Sequence, residues 1–164
     1  MAVLISVCSW LSVPSVIPFT MQTFGVFCAL LLLGGKRGSI AVLLYIVMGA
    51  VGLPVFSNFT GGVGKLMGPS GGYIFGFLLT ALCYWGMTAL LGEKPLIKIL
   101  GLAAGLVLCY AFGTLWFVEV YSRSEPIGIV SALSMCVFPF ILPDAIKLAL
   151  ALAAEKLLKN RIKQ

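Results

Sequence analysis

The stretch TGGVGKLMGPSGGYIFGF, Thr60 to Phe77, decides how this chain is read. It sets Gly61, Gly62, Gly64, Gly68, Gly71, Gly72 and Gly76 around a single proline, Pro69, between two long apolar runs. Glycine loses more backbone freedom on folding than any other residue. It is used where the chain turns sharply or comes close to another group. At membrane depth such irregular backbone is tolerated only where it is buried in protein or lines a cavity. The stretch predicts a loop folded back over a ligand site.

The runs on either side define the environment. Of 164 residues, 61% are hydrophobic and 10% charged, with mean hydropathy +1.14. A soluble domain is about 25% charged, so this chain cannot cover its surface with polar groups. It reads as an all-α polytopic membrane protein in a lipid bilayer, a single integral-membrane domain over residues 1–164. The net charge of +6 does not imply a nucleic-acid partner. The basic residues sit at the ends of apolar runs and in the C-terminal tail, where membrane topology places them. Histidine is absent, and Cys8, Cys28, Cys83, Cys109 and Cys136 are scattered singly without a CxxC pair. That spacing argues against a zinc site and leaves the cysteines as small hydrophobes. The first residues lack a basic n-region, which favours a transmembrane helix over a cleaved signal peptide.

Apolar runs and breakers predict six spanning elements. The first, about Ala2 to Val13, ends at Pro14 and is short against the roughly 20 residues of a span. The second covers Phe19 to Leu33 and the third Ser39 to Leu53. A glycine-rich loop fills Val55 to Gly68, and a fourth helix runs from Pro69 to about Gly92. The fifth spans Leu96 to Phe117. The last part divides into a short helix, Ile127 to Val137, and a final helix from Pro143 to Lys159, with Pro139 and Pro143 bracketing a break. Lys36, Arg37, Lys94, Lys98, Lys156, Lys159, Arg161 and Lys163 then fall on one side, against Lys65 and Arg123 on the other. The positive-inside rule puts both termini in the cytoplasm of a plasma-membrane protein. The glycine-rich loop, the Pro14–Pro18 turn and the Glu119–Pro126 loop face outward as an extracellular lid.

Asp144 and Lys147 are the second strong signal. An ionisable residue in a membrane helix costs at least ~2.5–3.5 kcal/mol and is a functional-site candidate. Their i, i+3 spacing puts both on one helix face. They form either a salt bridge that only holds the bundle or a polar clamp for a ligand with both N–H and carbonyl groups. Successive N–H groups of the glycine stretch, Gly61, Gly62, Gly71 and Gly72 among them, suit an anion, or else a tight packing turn. Tyr73 suits a small heterocycle, or a membrane-interface belt. Asn58 offers a donor and an acceptor, or is a plain turn residue. Gln22 is polar within an apolar run and serves either the ligand or a neighbouring helix. Gly61-Gly62-Val63-Gly64-Lys65-Leu66 is not a nucleotide-binding P-loop: Phe59 replaces its first glycine and Leu66 its Ser or Thr.

The glycine stretch resembles the signature of the BioY family, the biotin-binding S components of energy-coupling-factor (ECF) vitamin transporters. The family pattern is roughly GG-x-G-x-L-x-GP-[TS]-GGY-x-x-GF. Gly61, Gly62, Gly64, Leu66, Gly68, Pro69, Ser70, Gly71, Gly72, Tyr73, Gly76 and Phe77 match it. Pro139-Phe140 and Pro143-Asp144-Ala145-Ile146-Lys147 resemble the family's last-helix element, with Pro143 where Gly is common. Thr20-Met21-Gln22-Thr23, Leu33 to Gly38 and Gly52 to Phe56 extend the likeness from about Pro18 to Lys159. The resemblance implies biotin as the transported ligand, with Asp144 and Lys147 on its ureido ring and its carboxylate at the glycine loop. It also implies a transmembrane coupling subunit and two ATPase subunits as partners. Such subunits dock through a small-residue stripe on the first helix, and here that is only Ala2-x-x-x-Ser6.

No cofactor and no catalytic residues are expected. An enzyme would need a nucleophile with a base, or a metal site, and the apolar runs hold a single carboxylate and no histidine. A channel or assembly subunit would explain the glycines but not the Asp-Lys pair. An S component for another vitamin is the nearest alternative.

Overall fold

The computed structural model describes residues 1–13, 17–122 and 127–162. Pro14, Arg123, Glu125, Pro126 and Lys163, assigned above to turns, a loop and the basic face, lie outside the described residues. The elements run α1 (Ala2–Trp10), β1 (Ser12–Val13), β2 (Phe19–Thr20), α2 (Gln22–Leu33) and α3 (Gly35–Ala50). A 3₁₀ turn (Ser57–Phe59) and a short α4 (Val63–Met67) follow. Then come α5 (Gly71–Leu91), α6 (Pro95–Tyr121), α7 (Ile129–Cys136) and α8 (Phe138–Ile162). Three apolar stretches among the described residues are long enough to cross a membrane: Gly71–Leu91, Pro95–Tyr121 and Ile129–Arg161. Leu90 is 85% exposed and Val130 76%. Their helices are apolar on the outside as well as the inside, as a bundle in lipid must be.

α2 is the central element, packing on α1, α3, α5 and α8, while α5 and α6 form the most extensive helix pair. The α5–α6 contact depends on small residues. A Cβ on Gly105 would come within 2.8 Å of the Thr80 Cα, and one on Gly76 within 2.6 Å of the Cys109 sulfur. Thr80 Oγ1 closes the same seam by donating to the Gly105 carbonyl at 2.9 Å. Backbones that approach this closely gain dispersion and interhelical hydrogen bonds, the attractions available between helices in lipid.

Several boundaries differ from the sequence reading. The third helix starts at Gly35, not Ser39, because Gly34 turns the chain in one residue at φ +79°. The glycine segment is not one open loop from Val55 to Gly68, since it contains the 3₁₀ turn and α4. The break in the last part falls at Val137 (φ −123°, ψ −57°), before both prolines. α8 runs from Phe138 through them. Pro139 sits in its first turn, where a missing N–H costs nothing; Pro143 is held within the helix at the loss of one backbone hydrogen bond. The second helix begins at Gln22 because Phe19–Thr20 pair antiparallel with Ser12–Val13, a two-residue ribbon in an otherwise helical chain.

A partly buried ion cluster joins the first turn of α6 to the last turns of α8. Lys98 Nζ lies 2.9 Å from Glu155 Oε1, Lys159 Nζ 2.6 Å from the same oxygen, and Lys98 Nζ 3.6 Å from Glu93 Oε2. Lys98 and Glu155 are both buried.

Gly105→Ala is expected to destabilise the protein by about 1–3 kcal/mol, since the added methyl has no space. Gly64→Ala, whose Cβ meets nothing within 4 Å, is expected to be neutral or slightly stabilising. Thermal unfolding in one detergent compares them, and equal effects would refute the packing argument.

Candidate ligand site

The site follows from a carboxylate that has to be paired. Asp144 is 2% exposed and Lys147 4%, and both sit on the same face of α8. Their ion pair measures 2.7 Å, Nζ to Oδ1. A buried pair is tolerable only if its remaining valences are also met, and here other elements meet them. Thr23, in the first turn of α2, donates to Asp144 Oδ1 at 2.8 Å. Tyr110 of α6 donates to Asp144 Oδ2 at 2.6 Å. Lys147 Nζ also donates to the Thr20 carbonyl at 2.7 Å and to Thr23 Oγ1 at 3.1 Å. It lies 4.5 Å from the centre of the Phe19 ring, a cation–π distance. The junction of β2 and α2 is thus built around the head of Lys147.

Thr20, Thr23, Tyr110, Asp144 and Lys147 line a cavity of about 60 Å³, room for a few water molecules. Its walls come from the β2–α2 junction (Ile17, Pro18, Thr20, Gln22, Thr23), α5 (Tyr73, Ile74, Phe77) and α6 (Cys109, Tyr110). Cys136 of α7 and Phe140, Asp144 and Lys147 of α8 complete the far side. Ser57 and Ser70 bring the glycine-rich segment to the same space. Ser70 precedes the first residue of α5. The lining is mostly apolar with a few convergent polar groups, the usual constitution of a small-molecule site.

Four of the sequence-derived candidates come together here: Gln22, Tyr73, Asp144 and Lys147. Gln22 also donates through Nε2 to the Tyr45 hydroxyl on α3, so it serves a neighbouring helix while facing the cavity. The Tyr73 hydroxyl lies 3.1 Å from Thr114 Oγ1, linking α5 to α6. Asn58, Gly61, Gly62, Gly71 and Gly72 are not among the lining residues. Asn58 is exposed in a left-handed turn at φ 58° and accepts from Ser12 Oγ at 3.1 Å.

Gly61, Gly71 and Gly72 serve close packing, and Gly62 a turn at φ +91°. A Cβ on Gly61 would run into the Leu53 carbonyl, one on Gly71 into the Leu66 carbonyl, and one on Gly72 into the Trp116 side chain. The Gly62 N–H is bonded to the Gly49 carbonyl at 2.7 Å. Trp116 Nε1 donates to the Gly68 carbonyl at 3.1 Å, and Trp10 Nε1 to the Pro54 carbonyl at 2.8 Å. The segment is tied to α1 through the Val55 carbonyl, to α3 through Gly62 and to α6 through Gly68.

Thr23, Tyr110, Ser57 and Ser70 belong to the site without having been singled out. Thr23 and Ser70 lie inside the two motifs quoted above; Ser57 and Tyr110 carry no signal beyond being polar within apolar surroundings.

The BioY family profile matches residues 1–164. The chain belongs to the BioY family. Among its BioY relatives, the biotin transporter of Thermotoga maritima is 42% identical over 98% of this chain and 93% of the relative. The probable biotin transporter of Pyrococcus horikoshii is 37% identical over 88% of this chain and 82% of its own length. The crystal structure of the S-component for biotin from an ECF-type ABC transporter superimposes with a TM-score of 0.82 at 26% identity. It covers 97% of this chain and 86% of that one. BioY proteins are transporter components rather than enzymes, and this chain shares their fold and their multiple apolar helices.

Thr23→Val removes a donor from Asp144 and an acceptor from Lys147 while keeping the volume. It is expected to lower ligand-free stability by about 1–3 kcal/mol, and Thr23→Ser to retain most of it. Thermal unfolding of purified protein checks both, and an unaffected Thr23→Val variant would mean that the pair does not depend on this hydroxyl.

Proposed function

We propose that this chain binds biotin as the membrane-embedded S component of an ECF-type vitamin transporter. The observation that carries the reading is the buried Asp144–Lys147 pair on the wall of an apolar cavity, in a chain of the BioY family. Biotin's ureido ring presents N–H donors and a strongly polar carbonyl. Asp144 accepts from the first, and Lys147 donates to the second by exchanging one of its present acceptors, the Thr20 carbonyl or Thr23 Oγ1. Phe19, Tyr73, Phe77 and Phe140 supply flat apolar surface for the rings. The valerate carboxylate points towards Ser57 and Ser70, where the first turn of α5 adds the positive end of its dipole. The glycine-rich segment, with the β1–β2 ribbon, is the part of the wall that is not helix core.

In this reading α1, α2, α3, α5, α6 and the α7–α8 pair form six crossings. Both termini lie in the cytoplasm beside Lys36, Arg37, Lys94 and Lys156, and the glycine-rich segment covers the site from outside. A transmembrane coupling subunit and two ATPase subunits supply the energy for release. The chain itself performs no catalysis.

A biotin titration of the purified protein by calorimetry, beside Asp144→Asn, tests the reading. One-to-one binding is expected, weakened at least about 30-fold by the substitution, because a desolvated charge partner is worth about 2 kcal/mol or more. Absence of biotin binding by folded protein would overturn the assignment, and the same assay across other vitamins would then find the ligand.

A further inference from the structure

We infer that Tyr110 is a positioning residue of the site: it fixes the plane of the Asp144 carboxylate so that one acceptor position stays open to the ligand. The inference rests on the proposed role of Asp144 as the ligand's acceptor. An ionised carboxylate has about four lone-pair sites. Thr23 Oγ1 and Lys147 Nζ, at 2.8 and 2.7 Å, both bind Oδ1 and fill that oxygen. The Tyr110 hydroxyl takes one site on Oδ2 at 2.6 Å, the short distance of a charge-assisted O–H···O⁻ bond. Among the described residues this leaves a single acceptor position, on Oδ2.

The terminal torsion of an aspartate is soft, so two donors on one oxygen do not fix where the other points. Tyr110 supplies that second point of attachment from a different helix, α6, and it lines the same cavity. Lys147 has no spare donor for this purpose. Its three N–H groups face Asp144 Oδ1, the Thr20 carbonyl and Thr23 Oγ1. Without the tyrosine hydroxyl, Oδ2 can swing and the remaining lone pair loses its direction.

The test is a double-mutant cycle on biotin affinity, made with the monodisperse fraction of wild type, Tyr110→Phe, Asp144→Asn and the double variant. Radiolabelled biotin is used at concentrations high enough to titrate the weakest. Tyr110→Phe keeps the ring, so it isolates the hydroxyl. It is expected to weaken binding about tenfold, the scale of one hydrogen bond to a charge. In the Asp144→Asn background the same change is expected to matter less than twofold. An unchanged Tyr110→Phe affinity overturns the inference and leaves the tyrosine as packing. Tighter binding also overturns it, since the hydroxyl would then be occupying the ligand's place. An equal loss in both backgrounds overturns it too, by making Tyr110 independent of Asp144. No biotin binding by the wild type would overturn the functional reading itself. Ligand-free unfolding of the same four proteins would then judge the Tyr110–Asp144 coupling: additive shifts refute it and non-additive shifts sustain it.

Discussion

A carboxylate inside a membrane bundle cannot stand alone, and much of this structure is arranged around that fact. Removing a charge from water costs several kcal/mol even after relaxation. Asp144 offsets the cost with donors drawn from α2, α6 and α8 together. Satisfying one charge therefore brings three helices to one point. The bonds from Lys147 to the Thr20 carbonyl and Thr23 extend the same demand to the ribbon that precedes α2. At this point of the bundle, helix packing and site geometry answer to the same electrostatic requirement.

The second constraint is steric. Glycine in the signature segment and along α5 and α6 lets backbone and large rings approach to distances that any side chain would forbid. This brings Trp116 over Gly72 and the Leu66 carbonyl against Gly71, and it seats the segment closely on the bundle. The amide of Gly62 is already committed to the Gly49 carbonyl. That residue therefore contributes shape rather than a donor to a ligand.

How much of this was legible in the sequence depended on how rare each residue was in its setting. Asp144 and Lys147 stood out because charge is scarce in apolar runs, and the membrane class followed from composition. The glycines were equally visible, but glycine serves tight turns, close approach and anion cradles alike, and only coordinates separate those uses. Tyr110 was invisible for the opposite reason: a tyrosine in an apolar helix looks the same whether it packs or holds a carboxylate. Gln22 was read as facing either a ligand or a helix; it donates to Tyr45 of α3 and also lines the cavity. The helix ends were misjudged where one residue did the work expected of several. Gly34 alone reverses the chain before α3, and the break before α8 falls at Val137, a residue with no turn propensity, while Pro143 remains inside the helix.

α8 is anchored twice, at Asp144 and again at Glu155. They are eleven residues apart, which amounts to about 16 Å of helix. A rod pinned at two depths cannot be screwed about its own axis, because a shift of one residue rotates every side chain by about 100° and would tear both anchors loose at once. Its lower half is a fixed strut, and the compliance of the bundle is pushed to its ends. The joint at Val137 is left as the place where the protein can give way.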